Sequence, residues 1–343
     1  MDVPGWLLKE YSISNDFHSD DELWSAVNNI FSSRVRYTTS YKFCFLKAIL
    51  DNIYNVNENL ELKMVDIFAR FTEIYWNLVV KHHLNQIRKG RHKKASITIL
   101  IEETKERNMA CPEMPFERLT QVERDRLVTG AVRYCSINVV GALCTDFRFI
   151  VYGFDKQKTH IKFNYFAYMF LLKYAYIIGK LNYFEWIKFL ESVNDKEVAY
   201  DIAGCLDDSS QRTDLSRYRK LLLEDLHNHR CFYCGCELNN SCEVDHFIPW
   251  SFVKDDKAWN FVQACKNCNG SKKDKLAGPQ YMGGIITRNK EILRMPLLVE
   301  SFKADFDGYR DERLPEMYKS AAFNGFEVGW EPKVSNYSYE GRI

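Results

Sequence analysis

The residues best equipped for chemistry lie between Cys231 and Lys275. Two Cys-x2-Cys pairs, Cys231/Cys234 and Cys265/Cys268, are separated by 30 residues. Each such turn brings two sulfurs to one side, within reach of a metal at about 2.3 Å. Two turns together form a closed set of four thiolates, which suits structural zinc and leaves no open position for catalysis. The competing reading is four buried thiols in an ordinary core. Cys236 and Cys242 lie close by but belong to no x2 pair, and are left outside the clamp. Gly235 and Gly270 follow the two pairs and can supply the positive φ of tight turns.

The insertion between the pairs carries a second kind of chemistry. Asp245 and His246 are adjacent and flanked by Val244, Phe247 and Ile248. In a strand, neighbours face opposite ways. For both to reach one phosphate the strand must end or bulge there, and Pro249 supplies a break. Asn260 falls in a loop after Trp259, and Asn269 opens a helix. Alone, the Asp-His dipeptide also reads as a surface ion pair beside a knuckle.

The pattern Cys-x2-Cys, Asp-His-x2-Pro-x-Ser, Asn, Cys-x2-Cys-Asn-x2-Lys resembles the HNH endonuclease family, whose core is a β-hairpin and a helix around one metal ion. The stretch from Asp245 to Asp274 is also similar to the HNH domain of the RNA-guided CRISPR nuclease, which lacks the zinc knuckles. The resemblance covers roughly residues 215–280 and says little about the first 200. It implies that His246 is the general base, that Asp245 and Asn269 hold the catalytic divalent ion, and that Asn260 braces the loop that aims His246. Lys272 falls where a phosphate-contacting Lys commonly stands, with Lys273 beside it. The third position is Asn here, where many members have His. A carboxylate and an amide oxygen form a hard donor set that favours Mg²⁺ or Mn²⁺ over zinc. A neutral His with an ordinary pKa of about 6.5 suits the base role at neutral pH. The resemblance further implies 5′-phosphate and 3′-hydroxyl ends. One such site cuts one strand, so double-strand cleavage calls for a homodimer, a second nuclease or two sequential nicks.

The elements that must position these residues are expected to be mostly helical. The fold class is α+β, mostly α: an α-rich domain over 1–206, then a zinc-stapled ββα-metal domain over 207–343 with its core at 227–280 and flanking helices. Ser19-Asp20-Asp21-Glu22 reads as a helix start, with an acidic first turn suited to the dipole. Thr38-Thr39-Ser40 reads as the cap of a second helix. Longer helices are expected over 62–85, 96–108, 117–135, 164–179 and 183–193. A hairpin is expected from 147–152 and 159–163, with 109–116 as a loop and 207–214 as a linker. Residues 215–227, 284–293 and 299–319 complete the helices, and Gly325 and Gly329 mark turns.

The 343 residues carry a net charge of +1, so no global basic field announces nucleic acid, although a local groove is enough. The most basic run is 88–94, in which Arg88, Lys89, Arg91, Lys93 and Lys94 form either a phosphate-contacting loop or a solvated connection. Of eleven cysteines, Cys44, Cys111, Cys135, Cys144 and Cys205 are scattered like reduced core residues. The amino terminus has no secretory pattern, so a cytoplasmic protein is expected. Residues 163–179 are apolar but interrupted by Asn164 and Lys173, which points to a buried helix and no membrane span.

The function expected from these features is metal-dependent cleavage of DNA, with RNA such as tRNA as the alternative target. A zinc-ribbon module that only binds nucleic acid or protein is the alternative outside enzymes. The N-terminal domain is expected to regulate or to dock a partner such as an ATPase or sensor. By analogy, a microbial restriction or anti-phage role follows.

Overall fold

The computed structural model describes residues 7–88, 94–108, 114–195, 201–208, 215–238, 242–306 and 308–333. The chain divides into two compact units, Met1–Gln211 and Arg212–Ile343.

The first unit is helical: α1 (Asp20–Ile30), α2 (Tyr41–Asp51), β1 (Glu61–Lys63), α3 (Met64–Trp76), α4 (Ser96–Arg107), α5 (Gln121–Asp146), β2 (Tyr152–Phe154), β3 (His160–Phe163), α6 (Tyr165–Val193) and α7 (Ile202–Asp208). Its core gathers Phe43, Phe45, Phe68, Phe71, Trp76, Leu143, Phe163, Leu171 and Trp186. A capping box opens α1, with Ser19 and Glu22 exchanging side-chain and backbone hydrogen bonds. Ser40 precedes α2 but makes no side-chain cap. Its hydroxyl instead lies 2.6 Å from the Tyr75 hydroxyl and donates to Gln86 Oε1 at 2.7 Å, because the site is buried and both partners need satisfying.

Three sequence expectations shift in this unit. The helix expected from residue 62 begins at Met64, because Glu61–Lys63 pair with β3. After Trp76 it widens into a π-turn, Asn77–Lys81, and His83 follows at φ 52°. The expected first hairpin strand gives way to α5, which runs on to Asp146, and to left-handed Arg148 and Phe149; pairing then begins at Tyr152. The two helices expected after residue 164 form one, because Gly179 costs only about 1 kcal/mol in a helix while Ile178, Asn182 and Trp186 are all buried along it. Asn164 caps α6 by accepting from Ala167 N at 3.1 Å. Helix α5 is long and apolar enough to cross a membrane, but 56% of its apolar window is buried inside the protein, as in a core helix.

The second unit holds α8 (Ser216–Lys220), β4 (Glu243–His246), α9 (Trp250–Val253), β5 (Phe261–Ala264), α10 (Lys266–Lys272), α11 (Met282–Leu293), α12 (Pro296–Ser301), α13 (Lys303–Phe306) and α14 (Arg313–Phe323). Strands β4 and β5 pair antiparallel, and α10 follows at once. Helix α8 continues as a π-turn to Asp225 and stops at left-handed His227. The single helix expected over 299–319 is three short ones, with Pro296 in the first turn of α12 where its missing N–H costs nothing. Gly325 and Gly329 do take positive φ, at 87° and 78°. Most of the expected linker (209–214) lies outside the described residues, as do 109–113 of the expected loop and Cys111.

Candidate active site

The clamp forms first. The sulfurs of Cys231, Cys234, Cys265 and Cys268 all lie within 4.8 Å of one another. Cys234 and Cys265 are 3.8 Å apart, matching the edge of about 3.8 Å that a tetrahedron with Zn–S bonds of about 2.3 Å requires. Backbone amides already point at the sulfurs: Cys265 N donates to Cys231 Sγ at 3.4 Å and Cys268 N to Cys265 Sγ at 3.5 Å. The Cys231 thiol is drawn well below its ordinary pKa, first by the Cys268 thiol donating to it and then, against the cost of burial, by backbone N–H groups. Such a set fits zinc. Gly235 supplies a left-handed turn at φ 70°, whereas Gly270 lies within α10 and that helix is closed by Lys273 at φ 47°. Exposed Cys236 and buried Cys242 are not part of the cluster.

The second knuckle also starts α10, because Cys265 is the N-cap of that helix. One face of β4 carries Glu243 and Asp245, and α10 meets both of them. Asn269 Nδ2 donates to Glu243 Oε2 at 2.6 Å. Lys272 Nζ lies 3.0 Å from Asp245 Oδ2 and donates to the His246 carbonyl at 2.7 Å. From the first knuckle, the Tyr233 hydroxyl donates to Asp245 Oδ2 at 2.6 Å. Lys272 has no exposed side chain. This corrects the expectation that Lys272 touches phosphate: its ammonium neutralises Asp245 inside the fold. Lys273 is the exposed one of the pair.

His246 is the last residue of β4, in regular register with Phe261, so no bulge intervenes and its ring lies on the face opposite Asp245. The two side chains therefore flank one strand end from two sides. The imidazole packs edge-on against Phe261, centroids 4.5 Å apart, and its Nε2 is 2.8 Å from Asp256 Oδ1. Asp256 sits in a loop held from two helices. Its carbonyl lies 3.0 Å from the Tyr218 hydroxyl, which is 2.9 Å from Asp305 Oδ1. Asp305 also accepts from Ala258 N and pairs with Arg217. Burial, then the Asp305 carboxylate, push the Tyr218 hydroxyl far above its ordinary pKa, so it remains a donor.

Asn260 is 1% exposed and grips one residue with both ends of its amide. It accepts from Ile248 N and donates to Ile248 O, each at 2.9 Å, while its own carbonyl accepts from Phe247 N at 2.8 Å. The loop after His246 is thereby tied to the start of β5. Replacing Asn260 by Ala strands the buried Ile248 N–H and C=O, at about 1–3 kcal/mol each. We expect urea unfolding of Asn260→Ala to show a loss of that size; a midpoint equal to wild type would contradict the clamp.

Of the basic run, Arg88 and Lys94 lie within the described residues, and Lys89, Arg91 and Lys93 lie outside them. The Arg88 side chain donates to the Tyr37 carbonyl and sits over Phe189, and Lys94 pairs with Glu102 at 2.7 Å. Sequence reasoning did not single out Tyr233, Glu243 or Asp256. Glu243 had a signal, since it stands two residues before Asp245 and so shares its strand face. Asp256 had none, because its link to His246 depends on the fold of the intervening loop.

The profile of the HNH endonuclease family matches residues 231–277. Residues 231–277 are an HNH endonuclease domain. A Septu protein PtuB from Bacillus thuringiensis is 36% identical over 73 residues, which is 18% of this chain and 28% of that protein. The chain thus spans less than a third of the curated relative it matches. No solved structure matches the chain. Within the matched segment, β4 carries Asp245 and His246, α10 carries Asn269, and the four cysteine sulfurs cluster within 4.8 Å of one another.

Proposed function

We propose that the protein is a metal-dependent endonuclease that hydrolyses phosphodiester bonds in DNA. The observation that carries this reading is the HNH domain's own geometry: a strand end with Asp245 on one side and a buried His246–Asp256 pair on the other. In this reading His246 takes a proton from the attacking water. Asp245 and Asn269, with Glu243 on the same strand face, offer hard oxygens suited to Mg²⁺ or Mn²⁺. When bound, such an ion neutralises charge on the phosphate and assists the leaving oxygen. Asn260 keeps the loop in register, and exposed Lys273 offers positive charge for the phosphate backbone. The four-cysteine clamp holds structural zinc.

The helical first unit serves as a regulatory or docking domain for a protein partner such as an ATPase or sensor. The similarity to a Septu protein supports a role in anti-phage defence within the cytoplasm. A homodimer would bring two strand-cutting sites to one duplex.

The test is cleavage of supercoiled plasmid, linear duplex, single-stranded DNA and total tRNA by the full chain, in EDTA, Mg²⁺ or Mn²⁺, beside His246→Ala. Metal-dependent cutting of DNA that the variant loses is the expected result. Cutting of tRNA alone makes the protein a ribonuclease, and no cutting with zinc bound and a partner present makes it a binding module.

A further inference from the structure

We infer that Asp256 is the positioning residue for His246: it fixes the imidazole proton on Nε2 and leaves Nδ1 as the nitrogen that faces the attacking water. This rests on the nuclease reading above.

The pair is short and dry. Nε2 and Asp256 Oδ1 are 2.8 Å apart, with the two side chains only 6% and 7% exposed. An ionised carboxylate can only accept a hydrogen bond, so the nitrogen facing it must carry the proton. The second nitrogen of a neutral imidazole is then a lone-pair acceptor. Among the described residues Nδ1 has no hydrogen-bond partner, and it is not among the buried atoms sealed away without one. Nδ1 is therefore the nitrogen left to take a proton.

The position of Asp256 is built in rather than incidental. The Tyr218 hydroxyl lies at its carbonyl, and Asp305 holds the amide of Ala258 two residues on. The Phe261 ring walls the imidazole. In the reaction, an O–H bond of water breaks and its proton passes to Nδ1. The hydroxide oxygen bonds to phosphorus, and the bond from phosphorus to the 3′ oxygen breaks. That oxygen takes a proton from solvent, and Nδ1 later returns its own proton to solvent. Asp256 touches neither water nor phosphate; it holds the ring and stabilises the imidazolium through Nε2.

The first measurement needs no substitution at Asp256. Two-bond ¹H–¹⁵N correlation spectra of the full-length zinc-loaded protein, recorded where imidazoles are neutral, report the tautomer of each ring. His246→Ala identifies the signal of His246. The Nε2–H pattern is expected, and an Nδ1–H pattern overturns the inference.

The second measurement is plasmid nicking in Mg²⁺ by Asp256→Asn and Asp256→Glu. The amide of Asp256→Asn can donate to Nε2 and so permit the wrong tautomer. Its kcat should fall about 10²- to 10⁴-fold, with KM for DNA changed less than about twofold. Asp256→Glu, which keeps the carboxylate, should recover part of the rate. Nicking by Asp256→Asn at the wild-type rate overturns the assignment. Should Asp256→Asn not fold, the wild-type tautomer and the Asp256→Glu rate still decide. Should the wild-type protein cut nothing, the nuclease reading fails, while the tautomer still tells whether Asp256 sets the ring.

Discussion

Removing the metal from the four-cysteine clamp should unfold the second unit and abolish cleavage, while the first unit keeps its own melting transition. The reason lies in what the cysteines touch. Cys265 caps α10, the helix that carries Asn269 and Lys272. Tyr233, between Cys231 and Cys234, holds the Asp245 carboxylate. Phe232 N, from the same knuckle, bonds to Gln263 O on β5. The clamp thus sets the hairpin, the helix and the Asp245 carboxylate together. Structural zinc contributes about 10–16 kcal/mol of apparent binding energy in small domains near neutral pH, as much as the whole net stability of a typical domain, about 5–15 kcal/mol. Cys268→Ser, or a strong chelator, should therefore eliminate one of two thermal transitions and release one zinc per chain. Because the thiols must lose protons to bind, the clamp should also loosen as pH falls. A Cys268→Ser protein that keeps both transitions and nicks plasmid would show the cysteines to be ordinary core thiols.

The residues of this candidate site were more legible in the sequence than their supports. The paired x2 spacing located the clamp because two tight turns dictate local sulfur geometry whatever the surrounding fold. The order Asp-His, Asn, Asn likewise marked the end of β4, the turn before β5 and the helix α10, since local pattern sets each backbone position. The side chains that hold these groups were hidden because they arrive through tertiary structure. Asp305 reaches Ala258 from 47 residues away, and Tyr218 reaches Asp256 from 38. Lys272 misled for the opposite reason. The resemblance set it against phosphate, and only the packing of α10 on β4 shows it to be fully buried. The same holds in the first unit, where Ser40 looked like a cap and instead serves Tyr75 and Gln86.

Lys272→Met should be among the most damaging single changes in the second unit, and its pattern separates two roles. The ammonium is 0% exposed and lies 3.0 Å from a carboxylate that is itself 6% exposed. Breaking a buried pair by removing one partner costs about 3–5 kcal/mol, because the other charge stays behind in a poor solvent for it. Asp245 would keep the Tyr233 hydroxyl, and the His246 carbonyl would lose its donor. Adding Asp245→Asn to Lys272→Met should recover part of the loss by removing the stranded charge. A divalent cation offers the same relief. If Asp245 holds Mg²⁺ or Mn²⁺, the ion stabilises the folded state in proportion to its affinity, and that affinity rises once the competing ammonium is gone. Urea midpoints of wild type and Lys272→Met, each with EDTA or Mn²⁺, give the answer. The expected result is a large loss in EDTA for the variant and a larger Mn²⁺ shift than in wild type. A phosphate-contacting lysine would behave otherwise: its loss would leave the midpoint unchanged and appear as weaker, less salt-sensitive DNA binding. Equal Mn²⁺ shifts in the two proteins would instead remove Asp245 from the set of metal ligands.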